Sequence, residues 1–296
     1  MATSVMRASF ISLPRRRRFS LTWLALAPFF LFALLLMILP SAVIVSGSFQ
    51  DAEGHFTLAN LASFAQPTII RAYLTSLELS LITALGGGLL GFLVAYAITL
   101  GQVPRFVHSG ITTLSGVASN FAGVPLAFAF IATLGRTGFV TALFKSVGFD
   151  LYSTGFTAYS LIGLSLCYIY FQFPLMILII APSLEGLKRE WREAAEILGG
   201  NSAIYWREVA LPILLPSLLG TMILLFGNAF GAYATAYALT GGQINLITLQ
   251  ISSQISGDVF QSPGMGYALA LGMIVVMALC IGLYTLLQRR TERWLR

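Results

Sequence analysis

The residues with the most specific spacing in this chain of 296 are Glu193, Ala194 and Ala195, followed by Gly199 and then by Val209, Leu211 and Pro212. They lie in 185–211, a stretch too dense in charge of both signs to cross a membrane. Their chemistry is that of docking. Glu193 offers an anion to a basic partner, Ala194 and Ala195 permit close approach, and Gly199 permits a turn. Leu184, Leu187, Trp191, Ala194 and Leu198 recur at three- and four-residue steps, which predicts an amphipathic helix stopped by Gly199 and Gly200. Asn201 or Ser202 then caps a second helix that returns the chain toward Pro212. A helix lying on the bilayer would carry mostly basic charge, whereas the mixed signs here fit a helix that faces protein.

Catalytic chemistry has little to work with. A phosphate-cradling loop needs a lysine after a glycine-rich run, and Lys145 and Lys188 follow Phe144 and Leu187. Gly86, Gly87 and Gly88 lie inside an apolar run, where glycine permits close helix packing. His55 and His108 read as isolated, with no carboxylate at ligand spacing, and Cys167 and Cys280 sit in apolar runs. No nucleophile elbow or zinc motif occurs. The expectation is a chain with no catalytic residue, no metal and no cofactor of its own.

Polar side chains inside apolar runs are the remaining candidates, because such groups need a hydrogen-bonding neighbour or a wet path. Glu78 stands near one end of its run, and an intramembrane carboxylate suits a cationic solute. Tyr168 and Gln172 share one run, and Asn228, Tyr233 and Tyr237 share another. All six are candidates to line a path.

The elements that must hold these residues are membrane helices. The chain is 57% hydrophobic and 9% charged, with mean hydropathy +0.85, outside the range of soluble domains. Apolar runs at 21–45, 77–100, 112–134, 157–181, 212–239 and 266–287 are each long enough for a spanning helix and too long for barrel strands. The expected fold is all-α: a polytopic bundle of six transmembrane helices with a helix projecting from 185–211. A basic arm, 1–20, precedes a transmembrane domain over 21–296. Arg7, the four arginines 15–18, Arg105, Lys188, Arg189, Arg192, Arg207, Arg289, Arg290, Arg293 and Arg296 fall on one side, against Arg71, Arg136 and Lys145 on the other. The positive-inside rule puts the first side, with both termini, in the cytoplasm. Long outer connections at 46–73 and 240–265, and one at 135–156 with an amphipathic piece over 139–147, offer surfaces to an extracytoplasmic partner.

The order Glu-Ala-Ala, three residues, Gly, nine residues, then Ile-x-Leu-Pro is shared by the binding-protein-dependent ABC importer permeases. This chain resembles them at Glu193, Ala194, Ala195, Gly199, Val209, Leu211 and Pro212, with Val for Ile as the single departure. Weaker likeness runs through Phe56, Asn60, Phe64, Ser76, Leu77, Gly91 and Ala95 to the spermidine/putrescine, iron(III) and phosphonate permeases. The resemblance implies a cytoplasmic coupling helix that docks in a groove of an ATPase. It further implies two ATPase subunits holding ATP and Mg, a second permease, an extracytoplasmic solute-binding protein, and a bacterial inner membrane around the bundle, with no nucleic-acid partner. Polyamine is the first expectation for the solute. The competing reading, a secondary transporter or channel without an ATPase, predicts inverted repeats, broken helices and ion-binding acids in the spans.

Overall fold

The computed structural model describes residues 22–51, 53–101, 103–256 and 263–292, so the basic arm, Arg293 and Arg296 lie outside it. Regular structure among the described residues is helical, with one isolated bridge between Gln50 and Phe56. Among the described residues, six runs are long and apolar enough to cross a membrane.

Helix α1 (22–47) carries a π turn at Leu34–Ile38. The stretch Leu26–Gly47, of mean hydropathy 2.6, buries none of its apolar window, and its 39–47 end meets the last helix. Helix α2 (Pro67–Leu100) begins well before the expected run, with Pro67 in its first turn. At 1.5 Å per residue its 34 residues make about 50 Å, longer than a hydrocarbon core of roughly 30 Å.

The expected third span, 112–134, is two helices, α3 (Arg105–Asn120) and α4 (Val124–Leu134). Gly123 takes φ +75° and Pro125 sits in the first turn of α4, so the chain cannot continue one helix through this point. By length and composition the apolar run here extends over Val124–Ser146. It takes in α5 (Phe139–Ser146), the amphipathic piece expected in the outer connection. Helix α6 (Leu161–Glu185) starts from Ser160, whose hydroxyl accepts from the Gly163 N–H.

Helix α7 (Arg189–Ile197) and the start of α8 (Ser202–Phe230) form the projecting helix, turn and helix. Helix α8 has a π turn at Trp206–Ala210. Both π turns lie just before a proline, Pro40 or Pro212. A proline ring clashes with the carbonyl four residues back, and the wider π turn accommodates it. The expected fifth span, 212–239, is broken as well: α8 ends at Phe230 and α9 (Ala234–Thr240) resumes after a short gap. Helix α10 (Ile247–Ser256) occupies the long connection, and α11 (Pro263–Glu292) completes the bundle.

Packing centres on α2 and α6. A Cβ at Gly87 would lie 2.7 Å from the Gln172 Cβ, and one at Gly91 would strike the Phe173 carbonyl, so glycine sets how closely the helices approach. Two buried clusters divide the length of the pair. Leu79, Leu126, Leu164, Tyr168 and Phe171 lie in one half, and Ala95, Ile98, Ile180, Leu184 and Leu214 lie toward α7. The Tyr73 hydroxyl donates to the Leu269 carbonyl at 2.6 Å, fixing α11 against α2.

Candidate functional site

The projecting loop is built by a sequence of local stops. Helix α6 runs to Glu185 and buries Leu184 completely, so the predicted stripe 184–198 belongs to two helices. A turn at 186–188 resets the helical phase, and Leu187 of the turn, with Trp191 and Ala195 of α7, is partly buried. Gly199 ends α7 with φ +80°, a conformation that costs any L side chain. Asn201 caps the next helix, its Oδ1 accepting from the Ile204 N–H at 3.0 Å.

The loop presents two kinds of surface. Ile197 and Leu198 are 86% and 87% exposed at the tip, and an apolar groove of about 440 Å³ between α7 and α8 is lined by Trp191, Ala194, Ala195, Leu198, Gly199 and Val209 among others. Glu193 keeps 55% of its side chain exposed while pairing with Arg189 at 3.0 Å, and Arg192 pairs with Glu196 at 3.2 Å. Leu211 is 44% exposed, whereas Val209 and Pro212 are half-buried where α8 enters the bundle.

The two helix breaks meet. The Gly123 N–H donates to Thr235 Oγ1 at 2.8 Å, and the Tyr168 hydroxyl donates to the Ala232 carbonyl at 2.8 Å. Backbone groups freed by irregular chain inside a membrane need such partners. Phe121 and Phe130 set their edges against Tyr170 around a largely apolar cavity of about 340 Å³. No Asp or Glu occurs in 120–130 or 225–240.

The six candidate path residues separate into three environments. Tyr168 and Gln172 are fully buried inside the bundle. The Tyr168 hydroxyl holds the second break, and Gln172 Nε2 donates to Thr83 Oγ1 at 2.8 Å between α6 and α2. Neither reaches a surface in this structure, and each makes a hydrogen bond between elements of the bundle. Asn228 and Tyr237 are exposed near the second break, and Tyr233 is half-buried. The rings of Tyr233 and Tyr237 stack at 5.5 Å, and the Ser252 hydroxyl donates to that of Tyr233. Glu78 is exposed among Leu74, Leu81, Ile82 and Leu85, an apolar face of α2 away from the breaks' hydrogen bonds. Thr235, another polar residue of the same apolar run as Asn228, Tyr233 and Tyr237, spends its side-chain oxygen on tying the breaks.

One further correction concerns His55. The turn 51–55 brings ligand atoms of Asp51, Glu53 and His55 within 4.8 Å of one another, all exposed. Asp51 Oδ1 accepts from the N–H groups of Glu53 and His55, which folds the turn and removes the isolation read from the sequence.

No family model matches the chain. The probable sulfate transport system permease protein cysT of Chlorella vulgaris is 26% identical over 229 residues, covering 77% of this chain and 80% of that one. The thiamine transport system permease protein ThiP of Escherichia coli K12 is 31% identical over 166 residues, 56% of this chain and 30% of that one. A bacterial ABC transporter involved in the import of the acidic polysaccharide alginate shares the fold, with TM-score 0.71, 16% identity and coverage of 91% of this chain and 95% of that one. The MetNI methionine ABC transporter superposes with TM-score 0.53 over 75% of this chain and 95% of that one. The chain is thus similar in sequence to permease proteins of sulfate and thiamine transport systems and shares the fold of chains in ABC transporters, and its six apolar helices among the described residues fit a multi-pass membrane protein. Sulfate and thiamine, and no polyamine, are named for these relatives, so the polyamine expectation gains no support from them.

Proposed function

We propose that this chain is the membrane half-path of an ATP-driven importer for a small polar solute, receiving its stroke through α7. The observation that carries this reading is the projecting loop, in which an apolar groove lined by Ala194 and Ala195 and the uncovered Ile197 and Leu198 stand together on one short helix, with the exposed Glu193 on its other flank. Apolar side chains so exposed mark a docking surface. A separate ATPase subunit seats over this tip, with Glu193 meeting a basic group, and its two nucleotide states bind the loop in two positions. The side of the membrane that carries α7 is then the cytoplasm, as the distribution of arginine requires.

The two broken helices supply the gate. Irregular backbone at membrane depth is tolerated where it lines a cavity, and the exposed Asn228 and Tyr237 beside the second break are the groups a polar solute would meet. A second permease completes the path against this face, and a solute-binding protein docks on the opposite connections. Broken helices also occur in secondary transporters, and the absence of acids from both breaks removes the carboxylates that would relay a coupling proton there.

For the solute, our first choice is an anion such as sulfate, because a path without acids at its breaks is compatible with one and several relatives are sulfate permeases; thiamine, a cation named for other relatives, is the alternative. Copurification tests the subunit reading, since an ATPase must accompany the tagged chain in mild detergent, and a chain isolated without one overturns it. Thermal-shift screening of the partner binding protein with sulfate, thiamine and spermidine decides the solute. Stabilisation by spermidine alone would make a polyamine the solute.

A further inference from the structure

A second cleft, of about 520 Å³, lies on the flank of the loop opposite the apolar groove. One wall is the end of α2, with Tyr96, Thr99 and Leu100; another is Tyr205 and Trp206 of α8; the third is the first turns of α7, with Lys188, Arg189 and Arg192. Three observations bear on what it takes. Thr99 is half-buried, and its Oγ1 is enclosed in the wall with no hydrogen-bond partner among the described residues, an unmet group that a modest shift of the wall would open to a ligand or water. The N-terminus of α7 has no side-chain cap on Lys188, so first-turn N–H groups and the positive end of the helix dipole stand beside the same three cations. Glu193 and Glu196 also line the cleft, but each is held by an exposed arginine in a solvent-screened pair, a weak contact that an arginine exchanges readily for a phosphate.

We propose that this cleft binds an anionic phosphate group, supplied by the headgroup of an anionic phospholipid. The place in the fold selects the source. Tyr96 and Trp206 meet edge to face at 5.3 Å where α2 leaves its apolar run, the position at which aromatic side chains mark a membrane boundary. Leu100 and Leu187 give the cleft an apolar floor beside the cations, matching a headgroup with its glycerol attached. Basic pockets between helices at this boundary hold acidic headgroups. Lys188, whose ammonium also lies 5.9 Å from the Trp191 ring, and Arg192 are the principal ligands, with Thr99 as a hydroxyl donor. Headgroup binding would brace α7 against α2 on the side away from the docking tip.

The test is native mass spectrometry of the assembled complex in detergent, exchanged with phosphatidylglycerol or phosphatidylcholine. Preferential retention of phosphatidylglycerol is expected, falling roughly fivefold for each cation removed in Lys188→Gln and Lys188→Gln/Arg192→Gln, with a smaller loss in the near-isosteric Thr99→Val. Equal retention of the two lipids without stabilisation by phosphate, or lipid preference unchanged in the double variant, overturns the proposal. Millimolar inorganic phosphate provides the second arm. If it raises the melting temperature of the wild type and not of the double variant, while no lipid is preferred, the anion site stands and the lipid source falls. Lipid retention requires no transport, so its failure is separable from failure of the importer reading.

Discussion

The backbone N–H of Gly123 donates to the side-chain oxygen of Thr235, 112 positions further along the chain, and by that bond one helix break is fastened to the other. Both breaks are therefore parts of one element. A movement that opens either must carry its partner or break a hydrogen bond in a medium with no water to replace it.

Thr235→Val removes the acceptor while keeping the shape and leaves the Gly123 N–H unpaired. A loss of about 1–3 kcal/mol follows, read as a lower melting temperature of the purified complex. Thr235→Ser should retain most of the stability.

Gln172 offers the opposite outcome. Its Oε1 is buried without a partner, and Thr83 keeps its bond to the Leu79 carbonyl at 2.8 Å when the amide is gone. Gln172→Met should therefore leave stability unchanged or raise it by up to about 1 kcal/mol, with uptake retained. Loss of uptake at full stability would return Gln172 to the solute path.

The spacing of α2 and α6 can be probed by adding single methyl groups. Gly87→Ala places a Cβ 2.7 Å from that of Gln172 and should destabilise the bundle by about 1–3 kcal/mol. Gly116→Ala meets nothing within 4 Å and serves as the control. Equal melting temperatures for the two variants would show that the helices have room to separate.

Gly199→Val forces a β-branched residue to φ +80°, at a cost of about 1–2 kcal/mol, and reorients the tip that carries Ile197 and Leu198. Glu193→Lys reverses the charge beside them. Both should abolish solute-stimulated ATP hydrolysis while membrane insertion persists, and Gly199→Asn, which tolerates a left-handed backbone, should keep part of it. Normal stimulation in the first two variants would remove α7 from the coupling path.

Glu78→Gln neutralises a carboxylate that stands among exposed leucines rather than at the breaks. Uptake should be unchanged. A large fall would place the α2 face against the solute.

Hydropathy alone determined the all-helical membrane class, because spanning the bilayer demands a long run of apolar residues whatever the neighbours are. The spacing of Glu193, Gly199 and Pro212 likewise made the projecting loop legible, since capping and turn chemistry act within a few residues. The amphipathic stripe 184–198 was overextended, because a periodicity persists through a turn that only the buried Leu184 and the new start of α7 reveal. Which polar residues bond another part of the bundle and which stay exposed was decided by tertiary structure alone. Tyr168 and Tyr237 are the same side chain in similar apolar runs, yet one is fully buried against the Ala232 carbonyl and the other is 55% exposed. A hydroxyl in a membrane must find a partner, and whether that partner is another helix or a passing solute depends on how α6, α8 and α9 lie together, which no local pattern encodes.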